Sequence, residues 1–296
     1  MAETTRINSL NVLLDSTGKM LLSEAYKGVI DNVQKRAISF VIKNTDLSGS
    51  PESGTVEAKR FVNAVSAEYG SARTATKGTA VKGKPVTIAI DKNREFVEEL
   101  ENKDISLLGV DGLIAKRSAN HARRLEAELD TAMFAEAKTS GTAFTPASGV
   151  TNVQDIIESM IVTLESMKND YIDGIDRDMM SLILSPDYYS KMRIYLDNTA
   201  HNANVDTAAE EFIRYHGVKV FSSHRLPITV SGKTTATTQA ILCMDGAIAQ
   251  PLMVNEYKAE QIPLSDAIGL SMFFYYGTKA VMPETILTYS TSVTTD

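Results

Sequence analysis

The spacing of apolar side chains predicts one long amphipathic helix near the middle of the chain. From Asp104 to Lys138, apolar residues recur at steps of three and four, and charged residues occupy the opposite face. The apolar positions are Val110, Ile114, Ala122, Leu125, Leu129, Ala132 and Met133. This periodicity predicts about 30 residues of helix, which would be the longest element of the chain.

The pattern upstream of that helix is typical of a long β-hairpin. Residues 56–66 are rich in β-branched and aromatic types, and residues 86–91 begin with apolar side chains at every second position. Between them, residues 69–85 hold three glycines and four basic residues without an acidic one. Because this tip has few large apolar side chains to bury against its own chain, we expect the hairpin to need a partner surface. The first 45 residues predict an arm followed by a helix.

The second half of the chain alternates between helical and strand patterns. The predicted segments are a helix over 152–168, a strand over 181–184, a helix over 186–197, a shorter helix over 206–217, a strand over 218–221, a strand over 239–250 with a turn at 245–246, and a β-rich end over 268–289. Thr151 and Gln154 have the spacing of a capping box for the first helix. Ser185 followed by Pro186 predicts the start of the second.

Composition and charge narrow the function classes. With 296 residues, 43% of them hydrophobic, the chain has the composition of a soluble globular protein and the length of one large or two modest compact units. No apolar stretch reaches the roughly 20 residues that a membrane-spanning helix needs. The N-terminal segment lacks a basic start and an apolar core, so we expect no signal peptide and a cytoplasmic location. The single cysteine excludes an intrachain disulfide and a multi-cysteine zinc site.

Charge is distributed unevenly along the chain. The net charge of −7 disfavours a protein that wraps nucleic acid. Residues 55–90 nevertheless hold six basic and two acidic residues, a net of +4, whereas residues 91–104 hold six acidic and three basic ones, a net of −3. The basic hairpin lacks interleaved aromatic residues apart from Tyr69, so we expect a complementary protein surface rather than nucleic acid as its partner.

None of the candidate catalytic and ligand-binding motifs has the residues and spacing that its chemistry requires. Residues 78–85 and 227–234 approach the phosphate-binding loop, but Pro85 replaces the hydroxyl residue of the first and Pro227 replaces the first glycine of the second. The aspartates at 170, 173, 176 and 178 lack calcium-loop spacing and predict a solvated connection. The four histidines form no metal-binding pair and are expected at the surface or on a helix face. Cys243 lies in an apolar strand and is expected to be a buried thiol.

The order of elements and several local motifs resemble the major capsid proteins of tailed bacteriophages, the HK97-fold family, over nearly the whole chain. The motifs are Val86–Lys92, the helix from Asp104 to Lys138, Leu182–Tyr189, Gly217–Val220 with Leu226–Pro227 downstream, and Tyr275–Glu284. The resemblance implies an α+β fold with an N-terminal arm, an E-loop hairpin, a peripheral domain with a long spine helix, and an α/β axial domain. The implied boundaries are 1–50 for the arm and its helix, 51–92 for the E-loop, 93–145 for the peripheral domain, 146–253 for the axial domain and 254–296 for the return to the peripheral domain.

The resemblance also implies a structural function without catalysis, cofactor or metal. Subunits would form hexamers and pentamers of an icosahedral virion shell, assembled in the cytoplasm of the host bacterium. The implied partners are a portal protein and the packaged double-stranded DNA, which the shell would touch without sequence specificity; no membrane is involved. Because only 50 residues precede the hairpin, we expect a separate scaffolding protein. Spacing gives no basis for the covalent lysine–asparagine crosslink of some relatives.

Charge pattern and resemblance together predict an intersubunit contact. The basic side of this contact comprises Arg73, Lys77, Lys82 and Lys84, and the acidic side on the neighbouring subunit comprises Glu95, Glu98, Glu99 and Glu101. Two other interpretations remain open at this point. One is an encapsulin-like nanocompartment, which shares the fold and encloses cargo enzymes; the other is a small-molecule enzyme with its site within residues 150–250.

Overall fold

A computed structural model of the chain describes residues 9–64, 66, 68–70, 81–105, 109–198, 205–206 and 211–294. The helices are α1 (Ser16–Arg36), α2 (Ile38–Ile42), α3 (Gly109–Ser140), α4 (Val153–Glu165) and α5 (Pro186–Asp197). Helix α3 confirms the predicted long helix, and its buried positions include Ile114, Leu125 and Leu129 of the predicted apolar face. None of the helices within the described ranges is long and apolar enough to cross a membrane.

Strands are the other main elements of the described structure. They are β1 (Thr55–Phe61), β2 (Gly83–Ala89), β3 (Lys92–Leu100), β4 (Thr142–Ala143), β5 (Met180–Leu184), β6 (Val205–Asp206), β7 (Glu211–Phe212), β8 (Arg214–Tyr215), β9 (Val218–Ser222), β10 (Ile228–Ser231), β11 (Thr234–Met244), β12 (Ile248–Ala249), β13 (Leu252–Val254), β14 (Lys258–Gln261), β15 (Ile268–Tyr276), β16 (Lys279–Ala280) and β17 (Ile286–Thr294). Single-turn 3₁₀ helices include Leu10–Leu14, ahead of α1.

One large core surrounds a mixed sheet with the order β4-β17-β11-β5-β9-β8. Strand β5 is buried at every position, because it lies between β9 and β11 and both of its faces are covered. Leu182 and Leu184 pack beneath α4 and α5, and Ile183 packs against α3. Helix α5 starts as predicted: the backbone N–H of Tyr188 donates to the side-chain oxygen of Ser185 at 3.3 Å. Strand β10 pairs with the far end of β11, beyond the edge of β5.

A second core lies between a small antiparallel sheet and the helices α1 and α3. Strand β3 pairs with one edge of β15 along nine residues, and β13 and β14 pair with opposite ends of the other edge. The burial of β15 alternates strictly, so that its inner residues, among them Leu270, Met272 and Phe274, pack beneath α1 and α3. On the outer face of the same sheet, Val97 is 58% exposed.

Two local expectations are wrong. The helix predicted over 206–217 is replaced, in its described part, by β6, β7 and β8; His216 and Gly217 then have φ values of 46° and 96°, as the two-residue turn between β8 and β9 requires. The capping box predicted at Thr151 and Gln154 is not formed either, since the N-cap residue of this helix is Asn152 and its side chain makes no capping hydrogen bond. Helix α4 begins at Val153 with Asn152 at its N-cap, and the Asn152 amide donates to the Asp155 carboxylate at 3.0 Å.

Candidate intersubunit surface

The predicted hairpin is present as the antiparallel pair β1 and β2. Its register runs from Thr55 opposite Ala89 to Phe61 opposite Gly83. The hairpin has a buried face near its base, where Val56, Ala58 and Ile88 are at most 2% exposed. Ala58 and Ile88 pack against Ala249 and Val281. The base of the hairpin is therefore supported by its own chain, and residues 71–80 of the predicted tip lie outside the described residues.

An arginine clamp attaches the hairpin to the body of the subunit. The guanidinium of Arg60 on β1 forms an ion pair with Glu284 and lies 4.0 Å above the ring of Tyr171. Next to it, the backbone N–H of Asn63 donates to the carbonyl of Asp170 at 3.0 Å. Because the Arg60 side chain is only 10% exposed, this pair is screened little by solvent and fixes the direction in which the hairpin leaves the body.

The four predicted basic contact residues divide into two groups. Arg73 and Lys77 lie outside the described residues. Lys82 and Lys84 are exposed at the start of the returning arm of the hairpin, and neither forms an ion pair with a carboxylate among the residues that the structure describes. Phe61 and Val81 are 56% and 83% exposed on the same part of the hairpin. The described outer part of the hairpin thus offers uncompensated positive charge beside exposed apolar area.

Side chains alternate along β3, so its acidic residues lie on two different faces. Glu95 and Glu99 project from the outer face of the small sheet, on either side of Val97, which is 58% exposed. Half-buried Phe273 lies directly across from Glu95 on β15, within the same outer face. Neither glutamate forms an ion pair within the described ranges. This outer face, defined by these four residues, is an apolar centre with acidic neighbours.

Glu98 does not share that face, which corrects the predicted acidic group. It projects toward α3, where the Arg117 Nε donates to its carboxylate at 2.7 Å and the Nε2 of His121 lies 3.2 Å from it. Burial, the largest single influence, would raise the pKa of Glu98, but the hydrogen bonds and charges of Arg117 and His121 together outweigh burial and lower it. Glu98 therefore ties β3 to the long helix of its own subunit. Glu101 lies beyond the strand, is exposed and pairs with Lys103 at 2.5 Å.

His121 lies on a face of α3, which is one of the two expected positions, and this face is buried. Its ring is 2% exposed, stacks on Phe96 at 4.8 Å between centroids and approaches the Tyr257 hydroxyl at 2.6 Å through Nδ1. Burial lowers the pKa of His121 and so favours the neutral ring. The side chains around it come from the sheet and from α3, so they join these two layers of the subunit.

A second buried polar cluster was not expected from the sequence. Asp130 on α3 is completely buried; it accepts from the backbone N–H of Ser39 at 2.9 Å and from Arg225 at 3.0 Å. Arg225 also donates to Glu126, one turn earlier on the helix, at 3.0 Å. The cluster thus joins α2, α3 and the segment after β9. Asp130 lies within the apolar stripe of the helix, and this position in the sequence indicates that its side chain is buried. No local sequence pattern indicates that Arg225 is its partner.

The other candidate residues have structural environments. Cys243 is buried, as expected, and burial raises the pKa of its thiol to about 12. The aspartates at 170, 173, 176 and 178 are exposed along a connection, as expected. Gly232 lies in the turn between β10 and β11 rather than in a phosphate-binding loop. Across the described ranges, no three His, Cys, Asp or Glu side chains come together as a metal site.

The relatives of this chain are found by comparing its fold, and not its sequence, with known proteins. No protein-family model and no curated protein sequence matches this chain. In contrast, the capsid of a native GTA particle matches over 88% of this chain and 89% of its own, with 12% identity and a TM-score of 0.56. The capsid structure of cyanophage P-SCSP1u matches over 84% of this chain and 85% of its own, with 15% identity and a TM-score of 0.55. The chain has the HK97-like capsid fold.

The HK97-like fold also relates this chain to a particle that is not described as a phage. A virus-like particle from Pyrococcus furiosus matches over 90% of this chain and 97% of its own, with 13% identity and a TM-score of 0.52. Each of these three matches covers at least 84% of this chain. The HK97-like assignment therefore applies to the chain as a whole and not to one part of it.

Proposed function

We propose that this chain is the major capsid protein of a tailed bacteriophage. Copies would form hexamers and pentamers of the icosahedral shell that encloses double-stranded DNA, with assembly in the host cytoplasm. The observation that carries the proposal is the match to phage capsid subunits over more than four fifths of both chains. The role is structural, and catalysis, cofactors and metals have no part in it.

The proposed domain assignment follows the elements of the fold. The hairpin β1–β2 is the E-loop within 51–92, and α3 is the spine helix of the peripheral domain within 93–145, to which the chain returns after residue 254. The core around β5 and β11 belongs to the axial domain within 146–253, and the arm and α1 lie within 1–50. The separate packing of the two large cores supports a division of this kind.

The proposed contact places the hairpin of one subunit on the outer face of its neighbour's small sheet. The hairpin offers Lys82 and Lys84 with exposed Phe61, and the outer face offers Glu95 and Glu99 with exposed Val97. The two surfaces are different, so the contact is heterologous, and a repeated heterologous contact produces closed rings when its rotation closes. Rings of five and six subunits are the capsomers that the proposal requires.

The free energies expected for ion pairs and for apolar contacts indicate different roles for these two kinds of contact. Each exposed ion pair contributes only about 0.2–1 kcal/mol. Each large apolar side chain that becomes fully buried contributes about 1.5–3 kcal/mol. We therefore infer that the apolar residues supply most of the affinity, whereas the charges orient the encounter and exclude incorrect pairings. Each subunit in a closed shell is held by several neighbours, so weak individual contacts suffice.

The further partners are a separate scaffolding protein, a portal protein and the packaged DNA. The net charge of −7 supports a container that adheres weakly to DNA, because phosphate binding depends on concentrated basic charge. The second candidate function is an encapsulin-like nanocompartment, which the likeness to the Pyrococcus furiosus particle favours. Neighbouring genes distinguish the two: terminase and portal genes accompany a phage capsid, and a cargo enzyme accompanies a compartment.

The first test of the proposal is the mass of the expressed chain by sedimentation, with electron microscopy of any fast fraction. It is carried out with and without the candidate scaffolding protein from the same genome. Closed shells or rings of five and six subunits are expected. A stable monomer under both conditions would contradict the capsid function while leaving the fold assignment untouched.

The second test addresses the contact through charge exchange. The double variant Lys82→Glu and Lys84→Glu should fold normally and reduce the yield of shells, and the added change of Glu95→Lys and Glu99→Lys should restore part of that yield. The matched control reverses exposed Lys116 and Lys233, which lie on other elements, with the same change in net charge. Equal loss in the control, or no rescue in the quadruple variant, would sink the proposed contact.

A further inference from the structure

A tight turn at the end of the small sheet holds a leucine in an unfavourable backbone conformation. The turn joins β14 to β15, and the backbone N–H of Ser265 closes it by donating to the Ile262 carbonyl at 3.2 Å. Pro263 is the second of its four residues, and Leu264 is the third, with a φ of 61°. This combination is typical of a type II turn, whose third position favours glycine or asparagine. A leucine is disfavoured there, because its Cβ crowds the backbone when φ is positive.

Packing within the subunit does not account for this leucine. Its side chain is fully exposed, so it buries no apolar area against the described part of its own chain. Other groups hold the turn in place. The backbone N–H of Ala267 donates to the Ser265 side chain, and the Asn102 amide donates to the Asp266 carboxylate, both at 3.1 Å. A residue that opposes the local backbone preference without packing in its own fold indicates a role outside the subunit.

A cleft on the same subunit has the size and the apolar walls to receive a leucine side chain. It has a volume of about 590 Å³ and lies between the 3₁₀ helix Leu10–Leu14, the first half of α1 and the start of α3. Val12, Met20 and Leu21 line it with apolar side chains, and we call it the arm cleft. Met20 is 74% exposed, so much of this apolar area is open to solvent.

The chemistry of the turn favours a second copy of this chain as the partner of the arm cleft. The 3₁₀ helix that borders the cleft lies against β14, so the cleft and the turn belong to neighbouring parts of one surface. Leu264 nevertheless projects into solvent, so the leucine of the same subunit does not fill the cleft. The tip of the turn, residues 263–265, carries no charge, and its insertion would therefore remove no charge from water.

We propose that Leu264 of one subunit inserts into the arm cleft of a second copy. The inference rests on the proposed function, because it requires that copies of the chain assemble. It adds a contact that uses neither the hairpin nor the outer face of the small sheet. Met20 would cover the inserted leucine, because an unbranched thioether side chain adapts to its surroundings. The hydrogen-bonded turn holds Leu264 outward before the contact forms, so little conformational freedom is lost on binding.

The substitution Leu264→Gly separates a role in assembly from a role in folding. Glycine adopts a positive φ without strain, so the thermal midpoint of the unassembled subunit should stay the same or rise. Sedimentation should show that the concentration at which half of the chain is assembled increases at least about tenfold, because an apolar side chain is lost from the contact. Leu264→Met is the matched control, since it keeps a large apolar side chain and should assemble as the native chain does.

Two results of this comparison would overturn the inference. A lower thermal midpoint for Leu264→Gly would show that Leu264 acts within its own fold. Unchanged assembly of Leu264→Gly would show that the leucine contributes nothing to contacts between copies.

Disulfide trapping identifies the arm cleft as the partner surface. The full chain with Leu264→Cys and Met20→Cys is assembled under mild oxidation, and the buried Cys243 is not expected to compete. Linked dimers or larger species should appear, and peptide mass spectrometry should find position 264 joined to position 20. The control pair, Leu264→Cys with Val230→Cys, should not link, although Val230 is 68% exposed on β10. Assembled shells without the link between 264 and 20 would overturn the inference and leave the proposed function intact, whereas a chain that stays monomeric would overturn both.

Discussion

The substitution Arg225→Met tests the buried cluster that joins α2, α3 and the segment after β9. In the native chain Arg225 donates to both Asp130 and Glu126, and its side chain is 20% exposed. Methionine removes the charge and keeps most of the side-chain volume, so Asp130 loses its only cationic partner among the described residues and retains the backbone N–H of Ser39. A completely buried carboxylate is then left next to a second carboxylate.

The cost is large at neutral pH and depends on pH in a defined direction. Removal of one member of a buried pair costs about 3–5 kcal/mol, and partial exposure of Arg225 reduces this to about 2–4 kcal/mol. Burial already raises the pKa of Asp130, and Arg225 opposes that effect. Without Arg225 the pKa rises further. A carboxyl group with a raised folded-state pKa destabilises the fold above that pKa and ceases to do so as it becomes protonated.

The assay is urea unfolding of the subunit, followed by circular dichroism between pH 5 and pH 8. The stability deficit of Arg225→Met relative to the native chain should be greatest at pH 8 and should shrink toward pH 5. Exposed Arg124 on α3 provides the matched control, because Arg124→Met should change stability by less than about 0.5 kcal/mol at every pH. A deficit below about 1 kcal/mol, or one that grows toward acid pH, would refute the reasoning.

Three further changes test the core, a close backbone contact and the buried thiol. Leu129→Ala should destabilise the subunit by about 2–5 kcal/mol in the same unfolding assay, because Leu129 is completely buried on α3; an unchanged midpoint would show that this helix face does not carry the core. Gly277→Ala should lower the thermal midpoint, because the new Cβ would lie 2.0 Å from the Ala89 carbonyl oxygen; Gly28→Ala, where the Cβ meets open space, should not lower it. Cys243 should react with a thiol reagent only on unfolding, since burial raises its pKa to about 12; rapid reaction of the native chain would contradict its buried position.

Periodic patterns predicted the elements that depend on local chemistry. The long helix, the hairpin strands and the start of α5 are all confirmed, because helical spacing, alternation and a serine cap each express a local physical preference. The helix predicted over 206–217 is wrong because His216 and Gly217 form a two-residue turn between β8 and β9. Turn chemistry decides such short segments more strongly than apolar spacing does.

Long-range partners were harder to infer from the sequence. Glu98 was grouped with its acidic neighbours by charge alone, although alternation with Phe96 and Leu100 already places it on the inner face of β3. The pairing of Asp130 with Arg225 has no such signal, because the two residues are 95 positions apart and meet only when the helix packs against the segment after β9.

The two faces of β3 have different roles: one stabilises the fold of its own subunit, and the other is proposed to bind a neighbouring subunit. Inward residues such as Glu98 hold the long helix of the same subunit, and outward residues such as Glu95 and Val97 form the proposed contact with a neighbour. The outward positions can therefore be redesigned without disturbing the core. Two variants with complementary changes on the hairpin and on this face would fold alike, yet each would assemble only with its own kind. Two populations of shells could then form side by side in one cell without exchanging subunits.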